Sequence, residues 1–276
     1  MFFTYRNWKK FLNFLKENEF KSVPCCFAKS NVKRLILKHD VETNVKKAFK
    51  IAKYEKMYGH SGSFYVQAYL LEKKKNVLLL KKMKQMGHEI SYHYDVLDES
   101  KGDMVLADQK FSKNLEKFQS LGFEIITVCQ HGNPLIVRKG YSSNRDFFRD
   151  EIIAKKYDSI SDIMVNYQSK YNLEYDYISD AGREFKLIYD PLFNDVNDSS
   201  SKNKSFKGLK ELFEFILHNQ STIIISIHPH RWCSTSFGYL TKKIIFNVVR
   251  FIAKALYKIP LFKKLFSRYY YLAKKI

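Results

Sequence analysis

The chain has 276 residues, is 45% hydrophobic and carries a formal net charge of +20. That composition supports a substantial buried core and excludes a disordered or collagen-like chain. Four cysteines, Cys25, Cys26, Cys129 and Cys233, show no CxxC spacing, which argues for free thiols rather than a disulfide scaffold. The charge is concentrated at one end, since no Asp or Glu follows Glu214 while eleven Lys or Arg do. Such a bias suits an anionic membrane; no nucleic-acid-binding motif is present and no nucleic-acid partner is expected.

Taken in chain order, residues Asn7 to Glu17 carry Trp8, Phe11, Leu12 and Leu15 at helical spacing and predict a short amphipathic helix. Arg6, Lys9 and Lys10 interrupt the apolar opening Met1-Phe2-Phe3, so no signal peptide is expected. Arg34 to Lys38 reads as a buried strand ending at His39-Asp40, followed by a helix from Asn44 to Tyr58 and a second strand from Ser63 to Val66. A helix over Lys74 to Met86 is closed by Gly87, and a third strand, Glu89 to Tyr92, delivers His93. Met104, Phe111, Leu115, Phe118 and Leu121 form the next helical stripe, and Glu124 to Cys129 the fourth strand, delivering His131. The middle is less regular. It predicts a helix over Asp146 to Tyr157, strands at Ile163 to Tyr167, Tyr175 to Ser179 and Lys186 to Tyr189, and a flexible loop from Asn194 to Ser205. A helix from Gly208 to His218 and a buried strand from Thr222 to Ile227 then deliver His228. This alternation predicts parallel βαβ units, whose sites lie at the C-terminal ends of the strands.

Six of the eight histidines fall in four phrases that reach those ends, His88 alone standing at the start of its strand: Lys38-His39-Asp40-Val41-Glu42, Gly87-His88-Glu89-Ile90-Ser91-Tyr92-His93-Tyr94-Asp95, Gln130-His131-Gly132-Asn133 and Ile227-His228-Pro229-His230-Arg231-Trp232. Histidines and carboxylates gathered in this way bind metal or move protons, so the chain reads as an enzyme. Asp40 is the leading metal ligand, although an Asp after a strand also serves as a helix N-cap. Extended geometry puts Glu42 on its side and His39 on the other. His88 reads as structural, His228 or His230 as the functional member of the last phrase, and Trp232 with nearby tyrosines as a stacking surface for a sugar ring.

These phrases resemble the polysaccharide deacetylase (NodB-homology) superfamily, especially divergent bacterial members from surface-glycan clusters, over roughly Lys33 to Trp232. The resemblance implies an irregular (β/α) barrel of about seven parallel strands holding a divalent metal, most simply zinc, with one Asp and two His. Position by position it makes Asp40 the metal aspartate and His93 the first metal histidine, and puts His39 where the family has its basic aspartate. Leu97 stands where the second metal histidine belongs, and His131 is the economical replacement, with Asp95 and Asp98 behind it. His228 matches the acid, and the Asp180 and Arg183 phrase matches one in which an Asp orients the base and an Arg lines the site. His39 or Glu42 is then the base, with His230, Arg231, Trp232 and Tyr94 against the substrate. The implied activity is removal of an N-acetyl group from a sugar in surface-polysaccharide assembly; the alternative is a glycan-binding or scaffolding barrel that has lost that chemistry.

Residues 1–240 form the expected catalytic domain and 241–276 a basic helical tail. From Thr241 to Lys258, Lys243, Asn247, Arg250, Lys254 and Lys258 make a polar stripe, and Ile244, Ile245, Phe246, Val248, Val249, Phe251, Ile252 and Leu256 cover the rest. The tail suits the interface of an anionic membrane, or packs as a last barrel helix with its basic face in water; Leu261 to Lys275 repeats the mixture. A cytoplasmic location with attachment to the inner membrane face is expected.

Overall fold

The computed structural model describes residues 3–27, 35–132, 136–180, 183–188 and 204–256. Its strands are β1 (Leu35–Val41), β2 (Gly62–Val66), β3 (Glu89–Tyr94), β4 (Thr127–Gln130), β5 (Ser161–Asp162), β6 (Tyr175–Ser179), β7 (Lys186–Ile188), β8 (Lys204–Ser205) and β9 (Thr222–Ile227). They form one sheet in the order β5-β4-β3-β2-β1-β9-β6-β7-β8. The seven strands from β5 to β6 are parallel, and β7 and β8 add an antiparallel edge. Helices α1 (Tyr5–Glu17), α2 (Val45–Met57), α3 (Lys74–Gln85), α4 (Val96–Glu99), α5 (Met104–Ser120), α6 (Asp146–Arg149), α7 (Glu151–Lys156), α8 (Tyr167–Tyr171), α9 (Leu209–His218) and α10 (Ser236–Leu256) complete the described chain.

The molecule is thus α/β with a mostly parallel sheet, and among the described residues that sheet is open rather than the expected barrel. β5 and β8 are its edges. Side chains, not ladder bonds, reach from the β5 end to β6: the Tyr175 hydroxyl donates to the Ile163 carbonyl at 2.9 Å.

Both faces of β1 are buried, as a central parallel strand requires. Leu35, Leu37 and Val41 join the layer between sheet and helices with Val45, Ala48 and Ile51 of α2, while Ile36 joins Tyr65, Cys129, Tyr177 and Ile224 on the opposite face. Helix α1 is fastened through aromatic rings. Trp8 meets Trp232 with centroids 5.1 Å apart, and Phe3 stacks on Trp232 at 5.2 Å. Burying each such ring contributes roughly 2–3 kcal/mol, and the cluster pins the chain just beyond β9. Gly87 ends α3 at φ +94°, a left-handed cap that disfavours any other residue. At Gly62 a Cβ would lie 2.5 Å from the Leu37 carbonyl oxygen, so β1 and β2 need glycine there.

The irregular middle departs from expectation for local reasons. The strand expected at Ile163 to Tyr167 is instead the two-residue β5 followed by a turn and α8. Asp162 accepts the Met164 N–H at 2.6 Å and Asn166 accepts that of Asp162 at 2.8 Å, which turns the chain out of the sheet. The helix expected over Asp146 to Tyr157 is split at Asp150, which is extended (ψ 125°) and caps the N–H groups of Ile152 and Ile153. The fourth strand starts at Thr127 rather than Glu124, where its pairing with β5 begins. Of the loop expected at Asn194 to Ser205, only Lys204 and Ser205 lie within the described residues, and they pair as β8. The expected domain boundary at 240 falls inside α10.

Candidate functional site

The site lies where β1, β3, β4, β6 and β9 end. Alternation along β1 sends Lys38 and Asp40 to one face and His39 to the other. His39 is fully buried among α1 and α2, its Nε2 2.9 Å from Glu55 Oε1 and its ring 4.2 Å from that of Phe64. It is therefore not the base expected from its position, because the sheet separates it from the other site residues. His88 lies on this side too, 3.6 Å from Glu55; its Nδ1 accepts the Gly62 N–H and its Nε2 reaches the Ala52 carbonyl. It is structural, as the sequence suggests.

On the cleft side, Glu42 stands among imidazoles. Its Oε1 lies 3.4 Å from His131 Nε2 and 3.5 Å from His228 Nε2, and its Oε2 lies 3.7 Å from His230 Nδ1. Burial pushes its carboxyl up, but His228, His131 and His230 more than reverse this and hold it well below the usual carboxylate range. His93 projects from within β3, and its Nδ1 lies 3.0 Å from the Cys129 carbonyl. A carbonyl only accepts, so Nδ1 carries the proton and Nε2 keeps its lone pair. Burial lowers the His93 pKa to about 4, against the opposing pull of Asp40, which leaves a neutral imidazole at pH 7.

Two groups of donors are compact enough to hold a cation among the described residues: Glu42, His93 and His131, and Asp40, His93 and Cys129, each with its ligand atoms within 4.8 Å of one another. The expected set of Asp40, His93 and His131 is not among them. The first group fits zinc, since two imidazoles and a carboxylate are the donors of an open catalytic site. Ligands to zinc stand about 3.4 Å apart, the separation at which Glu42 Oε1 and His131 Nε2 already lie. The second group fits poorly. Burial keeps Cys129 a thiol, well above its ordinary pKa, and Asp40 Oδ1 is occupied by the Lys38 ammonium at 2.5 Å.

His228 is fixed by Asp180. Its Nδ1 donates to Asp180 Oδ1 at 2.5 Å and its backbone N–H donates to Asp180 Oδ2 at 2.9 Å. Asp180 also accepts from Arg231 Nη1 at 2.9 Å. Burial raises the Asp180 pKa, but His228 and Arg231 bring it below the ordinary value, so it is a carboxylate that fixes the His228 tautomer. Nε2 is left aimed at the gap between Glu42 and Asp40 Oδ2, which is 3.8 Å away.

Several expected contacts fall elsewhere. Trp232 is fully buried against Phe3 and Trp8, and Tyr94 is fully buried among Phe111, Phe147 and Phe148, so neither stacks on a substrate. Arg231 holds Asp180 rather than facing the cleft. Arg183 reaches the site's edge, where its guanidinium lies 4.9 Å from the Phe246 ring centroid. His230 does join the cluster; burial lowers its pKa to about 3. Asp98 is bound by Arg138 at 2.8 and 2.9 Å and braces the loop after β4, while Asp95 Oδ2 lies 3.8 Å from His131 Nδ1. Asn133 lies outside the described residues.

The sequence reading missed Lys38, Cys129 and Tyr69. Lys38 had a signal, because a lysine two residues before Asp40 in a buried strand must share its face and pair with it. Tyr69 is 42% exposed and donates its hydroxyl to the Glu42 carbonyl at 2.5 Å, so it is an accessible aromatic at the mouth. Beside it opens a cleft of about 550 Å³ lined by Thr43, Asn44, Lys46, Lys73 and Lys75 among others. No protein-family model, curated protein or solved structure matches the chain.

Proposed function

We propose that this protein is a metal-dependent hydrolase that removes N-acetyl groups from a sugar during surface-polysaccharide assembly, as a divergent relative of the polysaccharide deacetylases. The observation that carries this reading is the adjacency of two devices: Glu42, His93 and His131 within ligand distance of one another, and His228, held by Asp180, 3.5 Å from Glu42. The first has the donors for zinc and the second a fixed lone pair for proton transfer.

Zinc, when bound, would polarise the acetamide carbonyl and make water acidic enough to attack it. The chain's own part follows from its contacts. His228 Nε2 takes a proton from the attacking water as the C–O bond forms. The resulting imidazolium is stabilised by the Asp180 carboxylate at Nδ1, and by Glu42 and Asp40 beside Nε2. As the C–N bond breaks, Nε2 returns that proton to the departing amine, giving acetate and a free amino sugar. Arg231 keeps Asp180 in place, and Tyr69 offers the aromatic surface for the ring at the mouth.

Metal analysis of the purified protein, coupled with an assay of acetate release from N-acetylhexosamine oligomers, tests the reading. About one zinc per chain and acetate release abolished by a chelator are expected. A protein that takes up no divalent cation and releases no acetate would instead be a glycan-binding scaffold, and the hydrolase reading would be lost.

A further inference from the structure

Helix α10 leaves the sheet from the end that carries the site, and most of its described side chains are exposed. Tyr239 is 1% exposed, yet Phe237 is 80%, Ile244 55%, Val248 51% and Phe251 75% exposed. At 100° per residue these four, with Leu240 and Ile252, occupy one side of the helix. Single exposed apolar residues are ordinary; a continuous face of this length marks an interaction surface. Its partner is indicated by charge. The sequence places Lys243, Arg250 and Lys254 along another side of the helix, and no acid occurs after Glu214, so a second copy of this helix would bring like charges together. An anionic bilayer accepts both the apolar face and the basic stripe. Among the described residues no helix is long and apolar enough to cross a membrane.

The root of α10 is tied to the site. The Tyr239 hydroxyl donates to the Arg183 carbonyl at 3.0 Å, and the Arg183 guanidinium covers Phe246. Lys47, which neighbours Lys242, donates to the carbonyls of His230 and Trp232, each at 2.7 Å. A helix seated in a bilayer would therefore carry the mouth of the site to the same surface.

We infer that α10 docks on an anionic bilayer with the site end of the sheet toward the lipid, and that the substrate is an acetylated sugar borne by a membrane lipid. The docking stands on α10 itself; the acetylated sugar rests on the hydrolase reading above.

The test uses the full chain with vesicles of phosphatidylcholine alone, or with about a quarter phosphatidylglycerol. Co-sedimentation is expected with the anionic vesicles only, weakening as salt rises. Ile244→Asp/Val248→Asp/Phe251→Asp, all at exposed positions, should keep the parent melting temperature and weaken binding by roughly tenfold or more. Orientation is read from a fluorophore at Tyr69→Cys or Glu124→Cys, at opposite ends of the sheet, in a Cys26→Ser background and quenched by nitroxide lipid. Stronger quenching at 69 is expected. Equal binding to neutral vesicles, stronger quenching at 124, or dimers in solution that the triple variant dissolves would each overturn the docking. Acetate release should be roughly tenfold faster from an N-acetylated glycolipid in those vesicles than from the soluble oligomer; equal rates would overturn the lipid-borne substrate. If docking and orientation hold but neither substrate releases acetate, the hydrolase reading fails, the acetylated-sugar assignment falls with it and the docking stands.

Discussion

Lys38→Met asks whether Asp40 is a held carboxylate rather than a free ligand. Lys38 is fully buried, with Nζ 2.5 Å from Asp40 Oδ1 and 3.2 Å from Ser226 Oγ. Burial alone would raise the Asp40 pKa; Lys38, then His93 and His228, outweigh it and bring it from 3.8 to about 2. A depressed folded-state pKa means stability that is present above the unfolded value and is lost as pH falls from about 4 to about 2. Nearly two units correspond to about 2.5 kcal/mol. Methionine in place of Lys38 leaves that carboxylate buried without its ammonium partner, a cost of about 3–5 kcal/mol. For a chain of this size the melting temperature at pH 7 should fall by roughly 10 °C. Adding Asp40→Asn should restore most of the loss, because neither partner is then a stranded charge. Thermal melts followed by circular dichroism at pH 7 and pH 4 measure this, and the Lys38→Met deficit should shrink at pH 4 as Asp40 takes up a proton. An unchanged melting temperature at pH 7, or a double variant no better than the single one, would refute the reasoning.

Glu42→Ala and His93→Ala should each lose bound metal by elemental analysis; stoichiometric metal in either would remove that residue from the ligand set. Asp180→Asn should keep metal but lose on the order of 10³-fold in kcat, because the amide no longer fixes the His228 tautomer; undiminished turnover would end the orienting role. His39→Gln should lower the melting temperature while leaving metal content unchanged, and metal loss there would show that His39 reaches the site after all. Burial raises the Asp162 pKa from 3.8 to about 6, so the fold binds a proton that the unfolded chain releases, and stability declines as pH rises through that window. Asp162→Asn should gain about 2–3 kcal/mol at pH 7 and flatten that slope; a loss at pH 7 would contradict the assignment.

What the sequence determined by itself was the order of elements and the placement of the histidine phrases at strand ends. Both follow from short-range periodicity, which the backbone must obey wherever a residue is buried. The two-residue period also separated His39 from Asp40 and Glu42 without any structure. It could not say which side was the cleft, because β1 is buried on both faces and both sides carry polar groups. Only packing against α1 and α2 assigned His39 to Glu55, and only the neighbouring strands made Glu42, rather than Asp40, the carboxylate within reach of both His93 and His131. Trp232 and Tyr94 looked like substrate contacts because aromatic rings serve both cores and sugars; their burial against Phe3 and Phe111 is a fact of tertiary structure. Around Asp162 and Asp150, side-chain to backbone bonds redirected a chain whose apolar pattern favoured regular elements. The chemistry available was written locally; which groups meet was decided by contacts between residues far apart in the chain.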